Sequence, residues 1–157
     1  MLEIPPSSER VPRNTSRKVN ARIWGNLEER IHYFAENPGE ITARLEELDG
    51  EWDIERTLEA NASTLALVGL GLGSFVDKRF YGIPAVITGF LLQHAVQGWC
   101  PPVPVLRRAG FRTPREIEME RYALKFLRGD FDHVTPNRHT LHSAPSERAD
   151  GVARAVR

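Results

Sequence analysis

The chain has 157 residues, enough for one domain of ordinary size. Lys+Arg and Asp+Glu are equal at 21 each, so the basic surplus that nucleic-acid binding uses is absent and no nucleic-acid partner is expected. The hydrophobic fraction of 41% is ordinary for a globular protein, but it is concentrated between Ala60 and Leu106, with heavily charged sequence on both sides.

Residues 1–16 carry Pro5, Pro6, Pro12, Ser7, Ser8 and scattered charge, which predicts a disordered lead-in. Residues 1–20 also lack the apolar stretch of a cleavable signal peptide. From about Arg17 to Glu36 the pattern turns helical, with Ile23, Leu27, Ile31 and Phe34 on one stripe and Trp24 beside it. Asn37-Pro38-Gly39 breaks that helix. A second stripe, Ile41, Leu45, Leu48 and Trp52, has the spacing of a short coiled-coil seam. Residues 17–57 are therefore expected to form an amphipathic helical hairpin whose two stripes are each other's core.

Residues 58–106 have a different character. Ala60–Val76 and Phe80–Leu106 are uncharged, and only Asp77, Lys78 and Arg79 separate them. From Leu65 onward the first run is apolar around the whole circumference, which an amphipathic surface helix is not. At roughly 1.5 Å per residue, Ala60–Val76 extends about 25 Å, slightly less than a hydrocarbon core of about 30 Å. Ala62, Ala66, Gly69 and Gly73 fall on one face of the first run, and Ala85 and Gly89 do so on the second. In lipid, small residues let backbones approach closely, so these six are the expected helix-packing positions. Gln93 and Gln97 continue the second stack with His94 adjacent, and are expected to face a helix and not lipid. Trp99 and Tyr81 sit where interfacial aromatics belong. The prediction is a transmembrane hairpin with spans at about 60–77 and 82–100.

The glycines Gly69, Gly71 and Gly73 resemble a dinucleotide-binding loop only superficially. The last glycine of that fingerprint is replaced by Ser74, and no Asp or Glu occurs between Asp77 and Glu116 to hold a ribose. No cofactor is expected. Cys100 is the only cysteine, so an intramolecular disulfide is excluded. With Arg107 and Arg108 close in sequence it is the candidate reactive thiol, because positive surroundings favour the thiolate; the competing reading is a small side chain packed under Trp99.

The second run closes in Gly98-Trp99-Cys100-Pro101. Here, over roughly residues 58–110, the chain resembles the YgaP-like transmembrane domain family of small bacterial inner-membrane proteins. The resemblance rests on a glycine-rich first span, a short link and this four-residue exit. It implies a two-span hairpin of undetermined biochemical role. Some members carry a cytoplasmic rhodanese domain that moves sulfur as a cysteine persulfide, and this chain has a helical arm in that place.

Beyond the prolines, Thr113, Pro114 and Glu116 form a capping box with proline at the first helical position, predicting a helix over 113–129 that stops at Gly129. Its apolar residues fit either a membrane surface or the N-terminal arm. Residues 130–157 are predicted to be disordered. His133, His139 and His142 lie there without acidic or cysteine neighbours at ligand spacing, so no metal site is expected.

The expected fold class is all-α: a two-span transmembrane helical hairpin flanked by amphipathic cytoplasmic helices. A hairpin places both flanks on one side, and Arg44, Arg56, Arg107, Arg108, Arg112 and Arg115 against Lys78 and Arg79 place both termini in the cytoplasm. No catalytic constellation is present. The expected role is a non-catalytic anchor, scaffold or self-associating module in a bacterial inner membrane, with the lipid bilayer and a second copy or another membrane protein as partners. The alternatives are a thiol- or sulfur-handling accessory acting through Cys100, and a soluble helical bundle.

Overall fold

A computed structural model describes residues 6–131. All regular structure in that range is helical, with no strand. In chain order the helices are α1 (Arg10–Arg13), α2 (Arg17–Glu36), α3 (Ile41–Gly50), α4 (Ile54–Phe75), α5 (Gly82–Gln97), α6 (Val103–Ala109) and α7 (Pro114–Arg128). Single 3₁₀ turns at Pro38–Glu40 and Lys78–Tyr81 lead into α3 and α5. The predicted tail from residue 132, including its three histidines, lies outside the described residues.

The chain divides into two compact units, one built from Met1–Leu27 and Glu51–Glu118, the other from Glu28–Gly50 and Met119–Arg157. The first unit contains α1, α4, α5 and α6. Its apolar core is Val11, Ile54, Leu58, Cys100 and Val103, with Leu106 and Phe111 packed against it.

The expected disordered lead-in is corrected by α1 for residues 6–16, and its residues 1–5 lie outside the described residues. Its local composition is a poor helix former, but tertiary contacts decide. Val11 is 1% exposed in the core. Asn14 donates to the carbonyls of Arg10 and Gln97, and Arg10 donates to the carbonyl of Ala95. These bonds fix a segment that has no reason to order on its own.

The boundary expected at 57–58 falls inside α4. The helix starts at Ile54 because the Asp53 carboxylate accepts from the Arg56 N–H at 2.8 Å, capping the first turn. Ile54 N–H donates to the Arg112 carbonyl at 2.8 Å. Trp52 therefore does not continue the seam of α3, which ends at Gly50. Trp52 is half exposed, and the Arg56 guanidinium lies over its ring at 4.5 Å.

The second run also ends earlier than expected. Gly98 takes φ +73 and its N–H returns to the His94 carbonyl at 2.7 Å, so α5 stops at Gln97, one turn before the prolines. A Cβ at Gly98 would lie 2.4 Å from the Arg10 backbone, a close approach that only glycine permits. Pro102 and Pro104 then lie at the N-cap and in the first turn of α6.

Two buried ion pairs fix the remainder of the first unit. Arg107 is completely buried and its guanidinium grips Glu116 at 2.7 and 2.8 Å, with further bonds to Asn20, Thr15 and the Phe111 carbonyl. Glu116 also accepts from Thr113 N–H at 2.8 Å while Glu116 N–H donates to the Thr113 hydroxyl, closing the capping box. Arg112 pairs with Glu51.

In the second unit, Glu120 is fully buried between Arg30 and Arg44, at 3.1 and 2.9 Å. Arg121 reaches Asp49 and the Leu48 carbonyl, and Leu124 is fully buried. The later turns of α7 thus pack on the helical arm, the second of the two placements its sequence allowed.

Candidate membrane-facing hairpin

α4 and α5 form an antiparallel pair joined by the turn at residues 76–81. The turn is built locally. Asp77 accepts from Arg79 N–H at 2.8 Å, and the Ser74 and Tyr81 hydroxyls meet at 3.0 Å. Gly69 and Gly73 are buried in the contact. A Cβ on Gly69 would come within 2.7 Å of the Pro84 ring and 2.9 Å of Ile83, and one on Gly73 within 2.7 Å of the Tyr81 ring. Ala62 and Ala66 are half-buried on the same helix.

The second half of the expected packing set lies elsewhere. Ala85 and Gly89 are exposed, and nothing lies within 4 Å of a Cβ built on Gly89. α5 turns Pro84, Ile87, Leu91 and His94 inward instead. The reason is complementarity: the notches at Gly69 and Gly73 are filled by large groups, not by a second row of small ones. Gln93 is half-buried and Gln97 is exposed.

The outward faces are apolar. Leu67 is 68% exposed, Phe75 91% and Leu92 67%, and Leu65, Val68, Leu70, Val76, Val86, Phe90 and Val96 are also open. Three hydroxyls on these faces are satisfied within their own helices. Thr64, Ser74 and Thr88 each donate to the carbonyl four residues earlier, at 2.7, 2.9 and 2.7 Å. Among the described residues, no helix is long and apolar enough to cross a membrane. α5 has 16 residues, about 24 Å of rise.

A polar cluster ties the base of the pair. Buried His94 on α5 lies 2.7 Å from Glu55 on α4 through Nε2, and Glu55 also meets Arg10 of α1 at 3.2 Å. Burial alone would push the Glu55 carboxyl up, but its bonds and charge contact with His94 and Arg10 outweigh this and hold it below the usual range. His94 Nδ1 and Arg10 Nε are buried and without a hydrogen-bond partner. The sequence marked His94 only as a neighbour of the glutamines. Glu55 carried no signal, because nothing in its local pattern shows that α5 returns to it.

Cys100, the candidate thiol, is 6% exposed within the apolar core. Burial pushes its pKa up. Arg107, expected to favour its thiolate, is committed to Glu116. Of the four-residue motif, Gly98 is the α5 cap, Trp99 is half-buried, and Pro101 is exposed. Cys100 and Pro101 line an apolar cavity of about 220 Å³ with residues of α4 and α5. Among the described residues, no group of three or more His, Cys, Asp or Glu could hold a metal. Comparison with family models, with curated proteins and with solved structures finds no match.

Proposed function

We propose that this chain is a membrane protein whose α4–α5 hairpin inserts into a bilayer and whose charged helical parts remain in water, so that it acts as an anchor or scaffold and not as a catalyst. The observation that carries this reading is the set of exposed large apolar side chains on the outward faces of α4 and α5, from Leu65, Leu67 and Val68 to Leu92 and Val96, since exposed apolar patches mark interaction or membrane surfaces. The self-satisfied hydroxyls of Thr64, Ser74 and Thr88 support it, since lipid offers them no partner. The segments before α4 and after α5 meet the same end of the antiparallel pair, and the cation balance of these flanks favours a cytoplasmic side for both. Kinship with the YgaP-like transmembrane domains, and with it a bacterial inner-membrane location, belongs to the same proposal and rests on the Gly98-Trp99-Cys100-Pro101 exit.

The test is expression of the full chain followed by carbonate extraction of the membranes. Retention in the carbonate-resistant pellet is expected. Quantitative release into the supernatant, as a particle that stays monodisperse without detergent, overturns the reading.

A further inference from the structure

The hairpin is bounded as well as apolar. At its tip Asp77, Lys78 and Arg79 are exposed, and Lys78 and Arg79 make no ion pair among the described residues. At its base the exposed Glu59 ends the uncharged stretch, and three residues earlier the exposed Arg56 stacks on half-exposed Trp52. Between these ends the uncharged part of α4, residues 60–75, rises about 24 Å, and the 16 residues of α5 rise about the same. A typical hydrocarbon layer is about 30 Å thick.

Resting on the membrane reading above, we propose that the occupant of this surface is a phospholipid bilayer of less than average thickness, or one that the hairpin thins around itself. The argument is charge complementarity at a fixed spacing. If the tip stopped inside an average bilayer, three ionisable side chains would sit in hydrocarbon, which is costly for each of them. The cost is avoided only when the tip reaches the far phosphate layer, where Lys78 and Arg79 meet anionic oxygens. At the near layer, Arg56 and the amphipathic Trp52 ring fit the same chemistry. Between Glu59 and Asp77, the charges that bound it, the uncharged part of α4 is several ångströms shorter than an average hydrocarbon layer. Its rigid tip, locked by the Asp77 cap and the Ser74–Tyr81 contact, cannot lengthen. The mismatch is relieved by thinning the lipid.

The full chain is mixed with vesicles of dimyristoleoyl, dioleoyl or dierucoyl phosphatidylcholine, fluid lipids of increasing chain length, and the bound fraction is read by flotation. Partitioning is expected to fall from the shortest to the longest lipid, on the order of tenfold between the extremes. The combined variant Asp77→Ser, Lys78→Ala, Arg79→Ala, which keeps a capping side chain, is expected to lose most of that dependence. In a Lys78→Cys, Cys100→Ala chain, an impermeant thiol reagent sealed inside the vesicles is expected to label position 78 in the shortest lipid. Equal binding to all three lipids overturns the proposal and leaves the membrane reading standing. So does a tip variant that keeps the full dependence, or a position 78 labelled only from outside. Failure to float with any of the three overturns both.

Discussion

Gly73 and Gly89 carry the same side chain and opposite consequences. Gly73→Ala puts a Cβ 2.7 Å from the Tyr81 ring, whereas Gly89→Ala meets nothing within 4 Å. The first substitution is expected to destabilise by about 1–3 kcal/mol, from overpacking. The second is expected to stabilise by up to about 1 kcal/mol, from helix propensity. Thermal unfolding of the full chain in mild detergent reads both, and equal shifts would contradict the placement of the α4–α5 contact. At Cys100, burial in the core and a raised pKa predict a thiol that reacts with an aqueous disulfide reagent at least about tenfold more slowly than the denatured chain. A native rate equal to the denatured one would restore the reactive-thiol reading.

Glu116 sets a pH dependence. Burial alone would raise its pKa, but Arg107 and the bonds from Thr113 outweigh burial and hold it below the usual carboxylate range; Glu55 is lowered in the same direction. The unfolded chain, with ordinary carboxylates near about 4.3, therefore binds protons before the folded chain does. The stability these groups supply is complete above that value and is lost as pH falls through their lower folded values. Denaturant unfolding is expected to be flat near neutral pH and to weaken below about pH 4. Glu116→Gln leaves the fully buried Arg107 without its counter-charge, and is expected to cost about 3–5 kcal/mol at neutral pH. A loss below about 1 kcal/mol would show that the pair is not the lock described.

At the scale of elements, much was legible in the sequence wherever the signal is local. The all-helical class followed from the periodicities. The Thr113–Glu116 box needs only four residues to be read, and Asn37-Pro38-Gly39 breaks a helix by its own chemistry. The elements missed are those ordered by distant groups. α1 exists because Val11 finds Ile54, Leu58, Cys100 and Val103, and because Arg10 packs on Gly98 across the fold. α6 was hidden because its prolines read equally as a stop and as a first turn. The inward face of α5 was misread because a row of small residues looks like a contact, while the true contact inserts Pro84 and Tyr81 into glycine notches. The outward face of α4 also carries a prediction. Leu67→Lys places a charge on an exposed apolar face, and is expected to cost about 2.5–3.5 kcal/mol of membrane partitioning if that face meets hydrocarbon. Flotation with lipid vesicles measures it, and an unchanged bound fraction would place Leu67 outside the lipid.

For the whole molecule, charge and hydrocarbon are kept in different segments of the chain, with the uncharged runs confined to α4 and α5 and the turn into α6. Several charged side chains outside the hairpin are drawn into internal pairs, as with Arg107–Glu116, Arg112–Glu51 and Arg44–Glu120. The hairpin keeps its hydrocarbon outward, and Thr64, Ser74 and Thr88 bond to its own backbone. That distribution suits a protein that must be wet over most of its length and dry along one projection. The most direct measurement is the environment of position 68, on the outer face of α4. In a Val68→Cys, Cys100→Ala chain carrying a polarity-sensitive fluorophore there, vesicles are expected to shift the emission to the blue, with quenching by lipid-borne quenchers and protection from aqueous iodide. Emission that iodide quenches equally with and without vesicles, and that lipid-borne quenchers leave untouched, would contradict the account.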